Sequence, residues 1–211
     1  MYKTYIFDLD GTLLDTLSDL AAAVNYALRT HGMPEHSIDD VRRFVGNGVR
    51  KLMERAIPDG AANPQFDGTF ATFRQYYMAH SLDTTRPYEG IPEALAALKA
   101  RGCRLAVVSN KMMAATQELC QHFFPDTIEV AIGENEAEGI RKKPAPDTVF
   151  AALKALGVGK EGAVYVGDSD VDIETARNSG LPCISVLWGF RDRDFLIQHG
   201  AKTFISDPGN L

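Results

Sequence analysis

Asp8 and Asp10 flank Leu9 in Tyr5-Ile6-Phe7-Asp8-Leu9-Asp10-Gly11, an apolar run that ends in acid and then glycine. Strand side chains alternate, so the two carboxylates converge while Leu9 turns into the core. Two such acids can divide the work of a reaction, one as nucleophile or metal ligand and the other as proton carrier. A bare Asp-x-Asp also describes a solvated strand end, so the pair needs support from elsewhere in the chain. Ser109-Asn110 follows the apolar Leu105 to Val108 and offers a hydroxyl and a backbone N–H, although Ser109 taken alone reads first as the cap of a following helix. Lys143 precedes Pro144-Ala145-Pro146, and two prolines stiffen the backbone and restrict where the lysine points. Arg141 and Lys142 read as solvated members of the same basic run. Val164-Tyr165-Val166-Gly167 then leads into Asp168-Ser169-Asp170-Val171-Asp172. These alternating acids are not an EF-hand loop, because Ile173 and Ser179 stand where that loop requires Gly and Glu.

Together the four segments supply carboxylates, a hydroxyl, an N–H and a lysine at the ends of separate strands, a chemistry suited to a phosphate and a hard cation. Mg²⁺ prefers oxygen ligands and takes one or two carboxylates plus substrate phosphate, which suits Asp8 and Asp168. A carboxylate attacking a phosphate dianion is opposed by like charge, and Mg²⁺ with Lys143 would neutralise it.

The elements that must hold these residues alternate. Apolar, β-branched runs at Arg104–Ser109, Thr127–Ile132, Ala163–Gly167 and Pro182–Leu187 predict strands. Between them Ile91–Arg101, Thr148–Leu156 and Asp172–Ser179 predict helices, each followed by a glycine suited to the left-handed residue after a helix. Buried strands separated by helices make a doubly wound parallel α/β sheet, a Rossmann-like core. Residues 16–85 differ, since Leu17–Thr30, Ile38–Val45, Val49–Ala56 and Phe66–His80 are helical in period with no strand among them. The expected organisation is core at 1–15, an all-helical cap at 16–85 inserted after the first strand, and core again at 86–211. Such an insertion lies at the carboxyl edge of the sheet, where ligands of open α/β sheets bind, and would act as a lid. Asp15 reads as the N-cap of the first lid helix, while Asp170 reads either as a member of the acidic cluster or as a cap of the helix that begins there.

Charge excludes some partners. The 211 residues carry 22 Lys+Arg against 28 Asp+Glu, a net charge of −6, which has the wrong sign for nucleic acid. No uncharged apolar run approaches the ~20 residues needed to span a bilayer, and the N-terminal segment lacks the pattern of an export signal, so a cytoplasmic protein is expected. Cys103, Cys120 and Cys183 show no C-x-x-C spacing and read as reduced packing residues; the five histidines show no ligand spacing.

In order and in element, Asp8-Leu9-Asp10-Gly11-Thr12-Leu13-Leu14-Asp15-Thr16, Ser109-Asn110, Lys143-Pro144-x-Pro146 and Gly167-Asp168-Ser169-Asp170-Val171-Asp172 resemble the four motifs of the haloacid dehalogenase superfamily. The resemblance implies that Asp8 is the nucleophile and forms an aspartyl phosphate, while Asp10 protonates the leaving group, later deprotonates water, and offers its backbone carbonyl to Mg²⁺. It further implies that Ser109, Asn110 N–H and Lys143 hold the phosphoryl oxygens, that Asp168 ligates the metal, that Asp172 orients a metal water or Lys143, and that Thr12 hydrogen-bonds Asp10. Asp10 argues for phosphoryl transfer, because dehalogenases lack an acid there; Leu20 stands where phosphoglucomutases carry histidine. Asp19 to Val24 and Val41 to Leu52 are similar to phosphoglycolate phosphatases, and the Gly46-Asn47-Gly48 turn would present N–H groups, Asn47 and Arg50 to an anionic group. An ordinary interhelix turn with Arg50 in solvent is the competing reading. Expected is a Mg²⁺-dependent phosphatase acting on a small phosphate ester, foremost 2-phosphoglycolate, as a monomer or homodimer. The alternatives are a pyrophosphatase, a broad sugar phosphatase, a phosphoglucomutase, or a receiver-like phospho-aspartate module, whose phosphorylated acid would instead follow the third strand.

Overall fold

The computed structural model describes residues 2–211. In chain order the elements are β1 (Thr4–Phe7), β2 (Leu14–Asp15), α1 (Leu17–Thr30), α2 (Ile38–Phe44), α3 (Val49–Ala56), α4 (Phe66–His80), β3 (Arg86–Pro87), α5 (Ile91–Ala100), β4 (Arg104–Met112), α6 (Met113–Phe123), β5 (Val130–Glu134), α7 (Asp147–Leu156), β6 (Ala163–Gly167), α8 (Asp170–Ser179), β7 (Cys183–Val186), α9 (Arg193–Gln198) and β8 (Phe204–Ile205). They form two compact units, one of residues up to Asp15 with Pro87–Leu211, the other of Thr16–Arg86.

The first unit is built on a six-stranded sheet of order β5-β4-β1-β6-β7-β8, parallel at every paired edge. The central strands are buried because they are apolar on both faces: Tyr5, Ile6, Phe7, Leu105 to Val108 and Val164 to Val166 are all covered. One face packs Ile6, Ala106, Val108 and Tyr165 against Val149, Ala152, Leu153 and Leu156 of α7. Strand register places the ends of β4, β1 and β6 side by side, Phe7 lying between Val107 and Val166. The strand expected from Thr127 begins later, at Val130, because Thr127 and Ile128 donate their N–H groups back to Phe124 O and close the turn that ends α6.

The second unit is helical. Along α1 the residues Leu17, Leu20, Ala21, Val24 and Leu28 are buried at helical spacing, and α1 packs on α4, where Phe73 and Tyr77 stack in the interior. Helix α2 opens with a capping box between Ser37 and Asp40. Asp19, on the first turn of α1, is buried and accepts hydrogen bonds from Thr84 N at 3.0 Å, Thr85 N at 2.9 Å and Thr85 Oγ1 at 2.8 Å, as well as from Thr84 Oγ1. Thr16, not Asp15, is the residue before α1, and it makes no side-chain cap bond there. Asp15 already belongs to the short strand β2.

Candidate active site

Strand β1 ends at Phe7, and Asp8 is the first residue beyond it, its N–H bonded to Val166 O of β6 and its carboxylate accepting from Leu9 N at 2.7 Å. The chain must then turn at once. Gly11 takes φ +80°, where an L side chain is strained, and a Cβ there would stand 2.4 Å from Asp168 Oδ2. This close approach brings the first motif against the last.

A cluster of buried polar groups meets at Asp8. Lys143 Nζ lies 2.8 Å from Asp8 Oδ1, 2.9 Å from Asp172 Oδ1 and 3.1 Å from Tyr165 Oη. Tyr165 Oη donates to the same Asp172 oxygen at 2.9 Å, and Asp172 Oδ2 accepts from Ser169 N, Ser169 Oγ and Asp168 N. Asp172 is thus a structural acid as well as the partner of Lys143: with Ser169 it forms the capping box of α8. The cap of this helix is Ser169, and Asp170 lies inside its first turn, so the capping one of its two readings is not met.

The lysine is held at both ends. Asn110 Nδ2 donates to Lys143 O at 3.0 Å while Lys143 N donates to Asn110 Oδ1 at 2.8 Å, a reciprocal pair that fixes the lysine backbone to β4. Ser109 does not cap a helix, because β4 continues to Met112; its Oγ accepts from Lys111 N at 3.2 Å. Thr12 donates to Asp168 Oδ1 at 3.2 Å, so its bond goes to the last motif where one to Asp10 was expected.

Electrostatics sort these acids. Burial, then the neighbouring Asp172, pushes the Asp8 carboxyl well up, with Lys143 opposing. Burial and Asp172 likewise push Asp168 up to about 7. Asp172 is held below the ordinary range, because Lys143 and the bonds from Ser169 and Tyr165 outweigh its burial. Lys143 is raised: its own burial opposes this, and the charges of Asp172 and Asp8 prevail. Oxygens of Asp8, Asp168 and Asp172 all lie within 4.8 Å of one another. An all-carboxylate set, crowded and buried, has the chemistry that a hard cation relieves, so these residues fit Mg²⁺.

Asp10 belongs to a different environment. Its Oδ1 lies 3.1 Å from Lys111 Nζ, and the lysine side chain is 1% exposed. Sequence reading passed over Lys111, as it did Tyr165 and the loop at Trp188, whose Nε1 donates to Thr12 O at 2.9 Å while Phe190 N donates to Asp168 Oδ2 at 2.7 Å. A signal existed for Lys111: it stands two residues beyond Ser109 in a strand and so shares its face.

In the helical unit Arg50 pairs with Glu54 at 3.4 Å and lies over the Phe66 ring. Asn47 Oδ1 accepts from Arg55 Nη2 at 2.7 Å, and Arg55 Nη1 donates to Phe44 O, so Arg55 braces the Gly46-Asn47-Gly48 turn.

Residues 5–186 match the model of the haloacid dehalogenase-like hydrolases. The chain belongs to that family. It is 35% identical over 189 residues to a phosphoglycolate phosphatase of Aquifex aeolicus, covering 89% of this chain and 86% of that one. It is 30% identical over 211 residues to an N-acetylmuramic acid 6-phosphate phosphatase of Pseudomonas aeruginosa, covering 99% and 92%. A crystal structure from Lactobacillus delbrueckii subsp. bulgaricus, assigned as a phosphoglycolate phosphatase, superposes with TM-score 0.94 at 38% identity and covers 99% of this chain and 96% of that one. Among the described residues no helix is long and apolar enough to cross a membrane.

Proposed function

We propose that this member of the hydrolase family is a Mg²⁺-dependent phosphatase of small carboxylate-bearing phosphate esters, with 2-phosphoglycolate the foremost substrate. The observation that carries the reading is the Asp8 carboxylate, buried at a strand end with Lys143 Nζ at 2.8 Å and the oxygens of Asp168 and Asp172 close by. Asp8, Asp168 and, through water, Asp172 would hold Mg²⁺, with the Asp10 carbonyl; the ion draws off phosphate charge and orients the ester when bound. Asp8 attacks phosphorus and forms an aspartyl phosphate as the ester P–O bond breaks. The proton on Asp10 passes to the departing ester oxygen, which leaves as the alcohol. Water then attacks the phosphorus, Asp10 takes its proton back, and inorganic phosphate leaves Asp8 free. Lys143, the Ser109 hydroxyl and the Asn110 N–H hold the phosphoryl oxygens. Thr12 steadies Asp168, to which it already donates.

The helical unit acts as the cap, and Arg50, flanked by the Asn47 turn, is the candidate for the substrate's carboxylate. The relative named for N-acetylmuramic acid 6-phosphate favours a second reading, a sugar phosphatase, and that sugar also carries a carboxylate. Steady-state hydrolysis with Mg²⁺ of 2-phosphoglycolate, N-acetylmuramic acid 6-phosphate, glucose 6-phosphate and pyrophosphate separates the readings. The proposal expects 2-phosphoglycolate to have the highest kcat/KM, with Arg50→Ala lowering it about tenfold to over a hundredfold and sparing glucose 6-phosphate. Equal losses on both substrates, or a preference for pyrophosphate, would reject this assignment of Arg50 or of the substrate.

A further inference from the structure

Two lysines are buried at the carboxyl edge of the sheet, and only Lys143 has a place in the reaction as set out so far. Lys111 is 3% exposed overall, sits three residues past the apolar part of β4, and directs its ammonium at Asp10 Oδ1 from 3.1 Å. Burial of a lysine is costly unless it is paired, so this geometry needs a reason.

The backbone around Lys111 is shaped to aim it. The pairing of β4 with β5 is regular from Ala106 to Val108 and then shifts register before Met112 meets Glu134. Within that irregular stretch Lys111 N donates to Ser109 Oγ, and Lys111 O receives the Thr116 hydroxyl at 3.4 Å. On β5, Gly133 makes room for it: a Cβ there would stand 2.8 Å from Lys111 O and 2.5 Å from Met113 Cα, both backbone atoms that have nowhere to retreat. Donor, acceptor and space on the neighbouring strand all converge on one residue.

We infer that Lys111 is the positioning residue of Asp10: its ammonium holds the carboxyl group on the line of the departing ester oxygen. The inference rests on the proposed acid role of Asp10. Lys111 itself gains and loses no proton. It restricts the torsions of Asp10, as Lys143, Asn110 and Asp172 restrict one another around Asp8. A misplaced acid costs most where the leaving group needs a proton most. An alkoxide cannot leave unprotonated, whereas p-nitrophenolate can.

The test is kcat/KM for three esters, p-nitrophenyl phosphate, ethyl phosphate and 2-phosphoglycolate, in wild type, Lys111→Met and Asp10→Asn. Because kcat/KM reports the ester-cleaving step, the expected result for Lys111→Met is a loss of roughly a hundredfold on both alkyl esters and less than about threefold on p-nitrophenyl phosphate. Retained turnover of the aryl ester also certifies the fold. A uniform loss on all three esters would make Lys111 merely structural. A loss confined to 2-phosphoglycolate would make it a carboxylate contact, and no loss at all would leave it idle; each overturns the inference. Asp10→Asn is the control for the underlying reading. If Asp10→Asn shows no preference for damaging alkyl esters, the acid role falls and the positioning of Asp10 with it. If Asp10→Asn shows that preference and Lys111→Met does not, Lys111 alone is refuted. Combining the two substitutions should cost the alkyl esters no more than Asp10→Asn alone, because a lysine cannot position an acid that is absent.

Discussion

Both units bury aspartate, and they satisfy it in opposite ways. Asp19 in the helical unit is surrounded by neutral donors, the N–H and hydroxyl groups of Thr84 and Thr85. Those bonds outweigh its burial and hold its carboxyl below the ordinary range. At the sheet edge Asp8 and Asp168 are pushed up instead, by burial and then by the charge of Asp172. The first arrangement is complete as it stands and does the work of a clasp, tying the start of α1 to the end of the helical insertion. The second gathers three carboxylates around one buried lysine, a set that could hold a cation. Burial of an acid therefore does not identify function; the nature of its partners does.

The largest expected effect comes from removing the sheet-edge charge proposed to react. Asp8→Asn should lower turnover by at least about 10⁴-fold while far-UV circular dichroism and the unfolding midpoint stay near wild type. Activity within tenfold of wild type would place the nucleophile elsewhere.

The clasp predicts the reverse pattern. An asparagine at position 19 must turn its NH₂ toward donors, so Asp19→Asn should cost about 3 kcal/mol. Native-state hydrogen exchange should show the loss in α1 and α4 and spare β1, β4 and β6. Faster exchange in the sheet would mean that the two units do not keep separate accounts of stability.

The metal sharpens the comparison further. Mg²⁺ at a hundred times its Kd should stabilise the wild type by about 2.7 kcal/mol, read as a rise in Tm, and Asp168→Asn should abolish the rise while Asp19→Asn preserves it. The single tryptophan, Trp188, bonds the Thr12 carbonyl beside Asp168's partner and supplies a fluorescence readout of the same titration. A rise that survives Asp168→Asn would exclude the carboxylate cluster as its source.

The smallest effect is in pH. The folded state holds the Asp19 carboxyl below its unfolded value, so its stabilisation is present above about pH 4 and is lost as pH falls through the folded value. The difference in urea midpoint between wild type and Asp19→Asn should accordingly narrow as pH is lowered from 6 toward about 3. A constant gap would show that the Thr84 and Thr85 bonds do not depend on the charge.

Helical period carried most of what could be read in advance. Leu17–Thr30, Val49–Ala56 and Phe66–His80 form with the bounds their periodicity predicts, because amphipathic spacing is a local property. Asp8, Lys143 and Asp168 were legible for a similar reason: each ends an apolar run or stands at a proline, and strand ends gather at one edge of a parallel sheet. What escaped was set by long-range geometry. Thr12 chose Asp168 because the turn at Gly11 brings the two motifs into contact. Asp15 and Asp170 resemble helix caps by type, but Thr16 and Ser169 occupy the positions. Tyr165 looked like strand interior and nothing more; its hydroxyl matters only because Asp172 and Lys143 come within 3.1 Å of it.

The placement of β1 in the middle of the sheet also governs when the candidate site can form. Thr4–Phe7 pairs with residues from 104 on one side and from 163 on the other. Synthesis delivers β1 before either neighbour, and its second neighbour only after residues 8–162 have been made, whereas the helical insertion is built from contacts within one short stretch. Loop closure of this length is slow relative to helix packing. The helical unit therefore has its partners early in translation, and the strand that carries Asp8 waits, apolar on both faces, until β6 emerges. Strand β1, which among the strands of this sheet waits longest for a native neighbour, is where a holding chaperone would be most useful and where a nascent chain stalled before residue 163 would be most prone to aggregate.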